Sequence, residues 1–443
     1  MNRLTLSRRA ALLAPLALGG CSLWDRWFGD KKTPLPGNRE SIFAAGGRGL
    51  TVDDAAPKVV LPPPVRNAGW PQAGGNPAHY MGHLAANDHL AEAWTADIGA
   101  GGGYRRIIMA QPVVADGVVF TMDSGAMVSA FDLASGKRLW RAETVPDDAD
   151  STNVGGGIGV DNGTLYAVNG VSQLVALEAA TGKEKWRRNI NLPSRSAPTI
   201  ADGRIFVTNI QDRLQAFAAD DGHSLWDHQA AEPTNALLGR PAPAYYQGLV
   251  VAGFGSGELA ALHADSGTVV WTDGLGAGST NVSGVDFLSV RGAPVIHNGQ
   301  VYAISMGGLL VCTDVPSGRR LWERLVPGEN TPYLAGDWMF VLSADQELAA
   351  IHATTGKVAW VTALPHYEDP DKKKHTLTWY GPLLVEDRLI VTGTSEDALS
   401  ISPYTGEILG HIGLSSAAAP LVPVVADGTV LVVTDNGRLL ALR

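Results

Sequence analysis

The chain has 443 residues, and 44 acidic against 34 basic side chains leave a formal charge of −10. An acidic balance with no basic block repels phosphate backbones, which argues against nucleic-acid binding by counterion release. At 45% hydrophobic it can bury a large core, yet no stretch supplies the roughly 18 to 20 apolar residues of a membrane-spanning helix, and 52 glycines with 26 prolines favour short strands and turns over long helices.

The first predicted element is an export signal over residues 1–20: a basic start (Arg3, Arg8, Arg9), an apolar stretch from Ala10 to Leu18, and small residues before Cys21. The run Leu18-Gly19-Gly20-Cys21 resembles a bacterial lipobox, which would make Cys21 the acylated N-terminus of the mature chain and its membrane anchor. Ser7-Arg8-Arg9 resembles a twin-arginine motif and also suits an ordinary signal, so the export route stays open. Ser22, where an Asp would resemble an inner-membrane retention signal, favours the outer membrane.

Residues 21–88 carry eight prolines and mixed charges without sustained periodicity, and are predicted to be an extended tether whose last part, Trp70 to Pro77, packs on the body.

From Pro112 the chain repeats. The unit PVVADGVVFTMDSGAMVSAFDLASGKRLW ends at Trp140, and the same 28-residue step joins Pro198 to Trp226, Pro243 to Trp271, Pro294 to Trp322 and Pro332 to Trp360. It also joins Ile158 to Trp186 and Pro382 to Gly410, and a glycine stands four residues before the end in all seven. Asp-Gly and Asn-Gly pairs such as Asp116-Gly117 suit tight hairpins, a small-then-large pair such as Ala130-Phe131 marks a third strand, and the closing Trp is placed for packing between neighbouring units. Each unit therefore reads as a four-stranded antiparallel blade. The unit opening at Pro423 stops after three strands, while Leu90 to Trp94 is a closing strand with no blade before it. Joining the two closes a ring, so residues 89–443 are predicted to be all-β, an eight-bladed β-propeller of about 44 residues per blade.

The repeat resembles the quinoprotein (PQQ-enzyme) repeat, and the chain as a whole resembles the BamB family, lipoproteins of the outer-membrane β-barrel assembly machinery. That resemblance implies a non-enzymatic scaffold anchored in the outer membrane and facing the periplasm. It would bind a BamA-like barrel subunit through that subunit's periplasmic domains, with other assembly lipoproteins as further partners, and would aid insertion of barrel proteins. It also places the partner surface in two loops. Thr234 to Pro241 carries Leu237 at a family leucine, Leu238 where an arginine is expected, and Arg240. Val285 to Ala293 retains Asp286 but has Ser289 and Arg291 at acidic positions.

The alternative from the same repeat is a membrane-tethered PQQ-dependent oxidoreductase. Such enzymes use a catalytic carboxylate, a Ca²⁺ site, a flat aromatic under the quinone and, in many members, a vicinal disulfide. The chain has no Cys-Cys pair and its repeat tryptophans are absorbed by blade packing, so no catalytic, cofactor-binding or metal-binding residue is assigned and no cofactor is expected. The glycine runs at 101–103, 155–157 and 274–278 read as close backbone approaches, His263 and His352 as turn contacts, and Cys312 as a buried small residue. Residues 272–293 and 361–381 form the longest connections; the second holds the acidic-then-basic run from Glu368 to His375, read as a solvated tip.

Overall fold

A computed structural model describes residues 50–103, 106–147, 149, 156–194, 196–232, 239, 241–276, 288–415 and 417–443. Their strands form eight four-stranded antiparallel sheets and one two-stranded hairpin. Blades 1 to 7 span 113–143, 156–189, 199–229, 244–274, 295–325, 333–363 and 379–413. Blade 8 takes three strands from 424–442 and its fourth from Glu92–Asp97, which pairs antiparallel with Arg438–Leu442. The expected eight-bladed, strand-closed propeller is the observed fold; the closing strand lies a little beyond its predicted Leu90–Trp94 span.

The turn between the first two strands shows why Asp-Gly recurs. Asp116 and Gly117 have φ of 51° and 74°, the paired positive values of a type I′ hairpin, whose twist matches the strands it joins. Six blades open directly after the predicted proline; in blade 7, however, the strand Trp379–Val385 starts before Pro382 and bulges between Tyr380 and Leu383, sparing the ladder a missing N–H.

The small-then-large motif has an equally local cause. The register between third and fourth strands shifts at that pair, and the small member lies directly opposite the closing ring: Ala130 faces Trp140, Ala176 faces Trp186, and Cys312 faces Trp322. A larger side chain there would compete with the indole for space.

The two fixed markers of the repeat meet across blade boundaries. Gly182 of blade 2, at φ 74°, lies so close to Trp140 of blade 1 that a Cβ would come within 2.6 Å of the ring. The same contact joins Gly136 to Trp94, Gly222 to Trp186, Gly267 to Trp226, Gly318 to Trp271, Gly356 to Trp322 and Gly406 to Trp360. In six of these seams the indole Nε1–H also donates to the carbonyl three residues before the glycine, at 2.7 to 3.1 Å. Trp therefore closes one blade by capping the turn of the next.

Residues 50–88, predicted as the greater part of a tether, instead lie on the ring. They form almost no regular strand, yet Leu50, Val59, Trp70 and Leu84 are buried in the cores of blades 5 to 8 and 1. Widely spaced single apolar residues give no periodic signal but fill crevices one at a time. The backbone from Asn67 to Leu84 then visits every blade in ring order. Asn67 O accepts from Asp427 of blade 8, Trp70 pairs with Val114 of blade 1, and Pro71 O accepts from Val160 of blade 2. Gln72 Oε1 accepts from Ile200 N of blade 3, Pro77 O from Tyr245 of blade 4, and Ala78 O from Ile296 of blade 5. Tyr80 Oη accepts from Gly336 N of blade 6 and Leu84 O from Glu386 of blade 7. The innermost strand of each blade has a free edge facing the channel, and this strap satisfies an N–H at or just past that edge in all eight.

Candidate functional site

The strap and the inner side of the ring together line a pit of about 420 Å³. Trp70, Gly74, His79 and Met81 of the strap line it; its walls are the residues just before the first strands, among them Ala197, Ala242, Ala293 and Val422, with Leu383 from within the first strand of blade 7. The loops leading into those strands make the rim, where Ile107 is 44% exposed.

Two charged side chains line the pit among the described residues, and they neutralise each other: Arg291 Nη1 is ion-paired with Glu329 Oε2. Burial raises the Tyr380 hydroxyl pKa, with the nearby Glu329 charge pushing the same way. Asn330 Oδ1 accepts from Gly381 N at 3.2 Å, and Ala293 N donates to Thr331 Oγ1 at 2.9 Å, which ties the loop ends of blades 5, 6 and 7 together. His79 is buried with its Nδ1 2.7 Å from the Pro294 carbonyl, and desolvation lowers its pKa to about 4, with that hydrogen bond opposing. The ring is thus neutral at pH 7 with its proton on Nδ1.

Of the predicted partner-binding residues, Arg291 is placed at this rim. Leu237, Leu238, Arg240 and Asp286 lie outside the described residues, as does Cys21. The ends of both predicted loops reach the pit through Gly239, Pro241, Arg291 and Ala293. The residue pattern does not single out His79; it places Trp70 in a segment that packs on the body, and nothing around that residue signals a cavity.

The remaining candidates resolve as structural. Cys312 is buried, its Sγ 3.6 Å from Gln300 Oε1, and burial pushes its thiol up to about 12. His352 Nδ1 is 3.2 Å from Thr355 Oγ1 within the turn after its strand, and His263 holds the equivalent turn through its backbone. At Gly156 a Cβ would fall 1.7 Å from the Val168 carbonyl oxygen, the close approach its run suggested. In the long loop from 361 to 381, Tyr367–Asp369 and Lys374–Thr376 form a small hairpin whose tip is clasped by Lys372 and Asp369 at 3.1 Å. One His/Asp/Glu group among the described residues has metal-compatible spacing, Asp220, Asp221 and His223, and all three are exposed at a blade turn.

Solved structures share this architecture. BamB from Moraxella catarrhalis superposes with a TM-score of 0.67 at 19% identity, covering 80% of this chain and 99% of that one. The quinohemoprotein alcohol dehydrogenase of Comamonas testosteroni superposes at 0.68 with 15% identity, covering 85% and 81%. Both likenesses concern the fold. A Ca²⁺-bearing quinone site needs about six to eight oxygen ligands, several of them carboxylates, whereas the described lining of the pit offers one carboxylate, held by Arg291; the residues do not fit that group.

Among sequence relatives, the outer membrane protein assembly factor BamB of Shewanella oneidensis is 28% identical over 362 residues, 78% of this chain and 87% of its own length. That of Escherichia coli is 26% identical over 358 residues, 79% and 88%. These relatives are named as assembly factors, and on them rests the reading of the chain as non-enzymatic. The family described as outer membrane protein assembly factor BamB matches residues 124–362, more than half of the chain, and the chain belongs to that family.

Proposed function

We propose that this chain is a lipid-anchored scaffold of outer-membrane protein assembly, facing the periplasm. Residues 1–20 would be removed on export, Cys21 acylated, and the segment after it would lead from the membrane to the ring. Its partner would be a BamA-like barrel subunit, engaged through periplasmic domains, with other assembly lipoproteins in the same complex and insertion of barrel proteins as the outcome. The observation that carries this reading is the family match over residues 124–362. The described ends of both candidate loops support it by meeting at one rim, so a single docking domain could touch both.

Native purification from gently solubilised outer membranes, followed by mass spectrometry, is expected to recover a barrel protein with periplasmic domains. A Leu237→Glu, Leu238→Glu double variant should lose that partner while keeping the wild-type melting temperature. Retention of the partner by the folded variant would reject this surface, and recovery of the chain alone would reject the scaffold reading.

A further inference from the structure

The fourth strand of each blade is hydrogen-bonded along one side only, so the outer rim of the ring is a series of open edges. Two of these edges differ from the rest. The matching segments 137–143 of blade 1 and 183–189 of blade 2 carry seven Lys or Arg against two Glu. The other six, 91–97, 223–229, 268–274, 319–325, 357–363 and 407–413, together carry four Lys or Arg against six Asp or Glu. In a chain with a net charge of −10, two neighbouring blades thus hold a local excess of five positive charges. Charge on a free edge also prevents edge-to-edge pairing, but all eight blades share that need, and it does not account for a concentration on two.

Most of these cations are not engaged within the molecule. Arg141 is ion-paired with Asp123 and Arg187 with Glu184, but Lys137, Arg138, Lys183, Lys185 and Arg188 are exposed and, among the described residues, ion-paired with nothing. In blade 5, by contrast, Arg320 is held by Asp273 and Glu323, and Arg324 by Asp53. Leu139, between Arg138 and Trp140, is 50% exposed amid the charge. Cations around an exposed leucine suit a lipid interface, where the charged groups meet phosphates and the apolar side chain enters the acyl boundary. Flexible cations on a convex rim need no shaped partner on a fluid sheet of phosphates. We propose that the outer edge of blades 1 and 2 docks on an anionic phospholipid surface. The ring would then stand edge-on to the membrane, with the rim that carries the docking loops turned along it. The proposal rests on the reading of Cys21 as the membrane anchor; the 29 residues from there to Leu50 can span up to about 100 Å, enough to bring this edge to the bilayer.

The test uses the full mature chain carrying Cys21→Ser, so that no acyl chain contributes, and phosphatidylcholine vesicles with or without phosphatidylglycerol as about a third of the lipid. Co-sedimentation is expected with the anionic vesicles alone, and should weaken as salt rises. The double variant Lys137→Glu, Lys183→Glu should bind about tenfold more weakly or worse. Arg319→Glu, Lys357→Glu makes the same change of charge at the same repeat positions in blades 5 and 6, and should bind within about twofold of the parent chain. Both variants should keep the parent melting temperature. No binding to anionic vesicles, binding indifferent to phosphatidylglycerol, or equal losses in the two variants would overturn the proposal. Should vesicles fail while Lys137→Glu, Lys183→Glu loses an acidic protein from the native purification, the edge belongs to that protein and not to lipid. No partner chain is present in the vesicle assay, so its failure would leave the scaffold reading standing, and the mass of the native N-terminus tests the anchor separately.

Discussion

The periphery and the hub of this ring are fastened by opposite strategies. At the periphery one device is used seven times: a closing Trp laid against the turn glycine of the next blade. At the hub one aperiodic strap is used once, touching all eight blades with its backbone and a few side chains. The periphery divides its stability among many similar contacts, each between nearest neighbours, as repeat architectures do. The hub couples every blade to one segment, so a change there acts on the whole ring.

The largest expected effect comes from breaking one peripheral contact outright. Trp140→Ala removes the cap on Gly182, the Nε1–H bond to the Ala179 carbonyl at 2.9 Å and the tilted contact with Phe120 at 5.8 Å. The ring is half-buried, so the loss belongs near the low end of aromatic truncations, about 3 kcal/mol, read by denaturant unfolding. An intact denaturation midpoint would mean that the seam does not depend on its indole.

Acid tests the hub. The folded-state pKa of His79, about 4, lies below the 6.5 of the unfolded chain, so the unfolded chain binds the proton first. Its contribution is therefore complete above about pH 6.5 and lost as pH falls toward 4, by at most about 3 kcal/mol. His79→Asn, whose side chain tolerates the positive φ of 60° at that site, should be less stable at pH 7 yet show a flatter profile between pH 6.5 and 4. A profile as steep as the wild type's would assign the acid sensitivity elsewhere.

What the sequence made legible follows the same division. Trp, glycine and the Ala-then-large pair recur because every blade repeats one geometric problem, so spacing alone revealed the blades, their number and the closing strand. Their mutual contact was not legible, because it joins residues of different units, some 42 apart in the case of Trp140 and Gly182. The strap looks largely like a tether in sequence because it solves eight different problems once each, with prolines, turns and isolated apolar residues that resemble disordered composition. His79 shows the limit most sharply: its role depends on the carbonyl of Pro294, more than 200 positions away.

The peripheral device has one exception, and the smallest predicted effect exploits it. Between blades 7 and 8 the closing position is Gly410, and a Cβ there would meet nothing within 4 Å. The cause lies in the ring closure: blade 8 draws its fourth strand from Glu92–Asp97, so it has no turn between third and fourth strands and no glycine to receive a ring. The same substitution should therefore have unequal costs at two glycines. Gly182→Ala forces a side chain into positive φ and into the indole of Trp140, and should lose about 2 kcal/mol or more. Gly410→Ala meets no atom and is strained only by its positive φ of 157°, at the edge of the extended region, so it should lose less, about 1 kcal/mol. Parallel unfolding curves decide the matter: equal losses would mean that strand conformation, and not the missing turn, governs both positions.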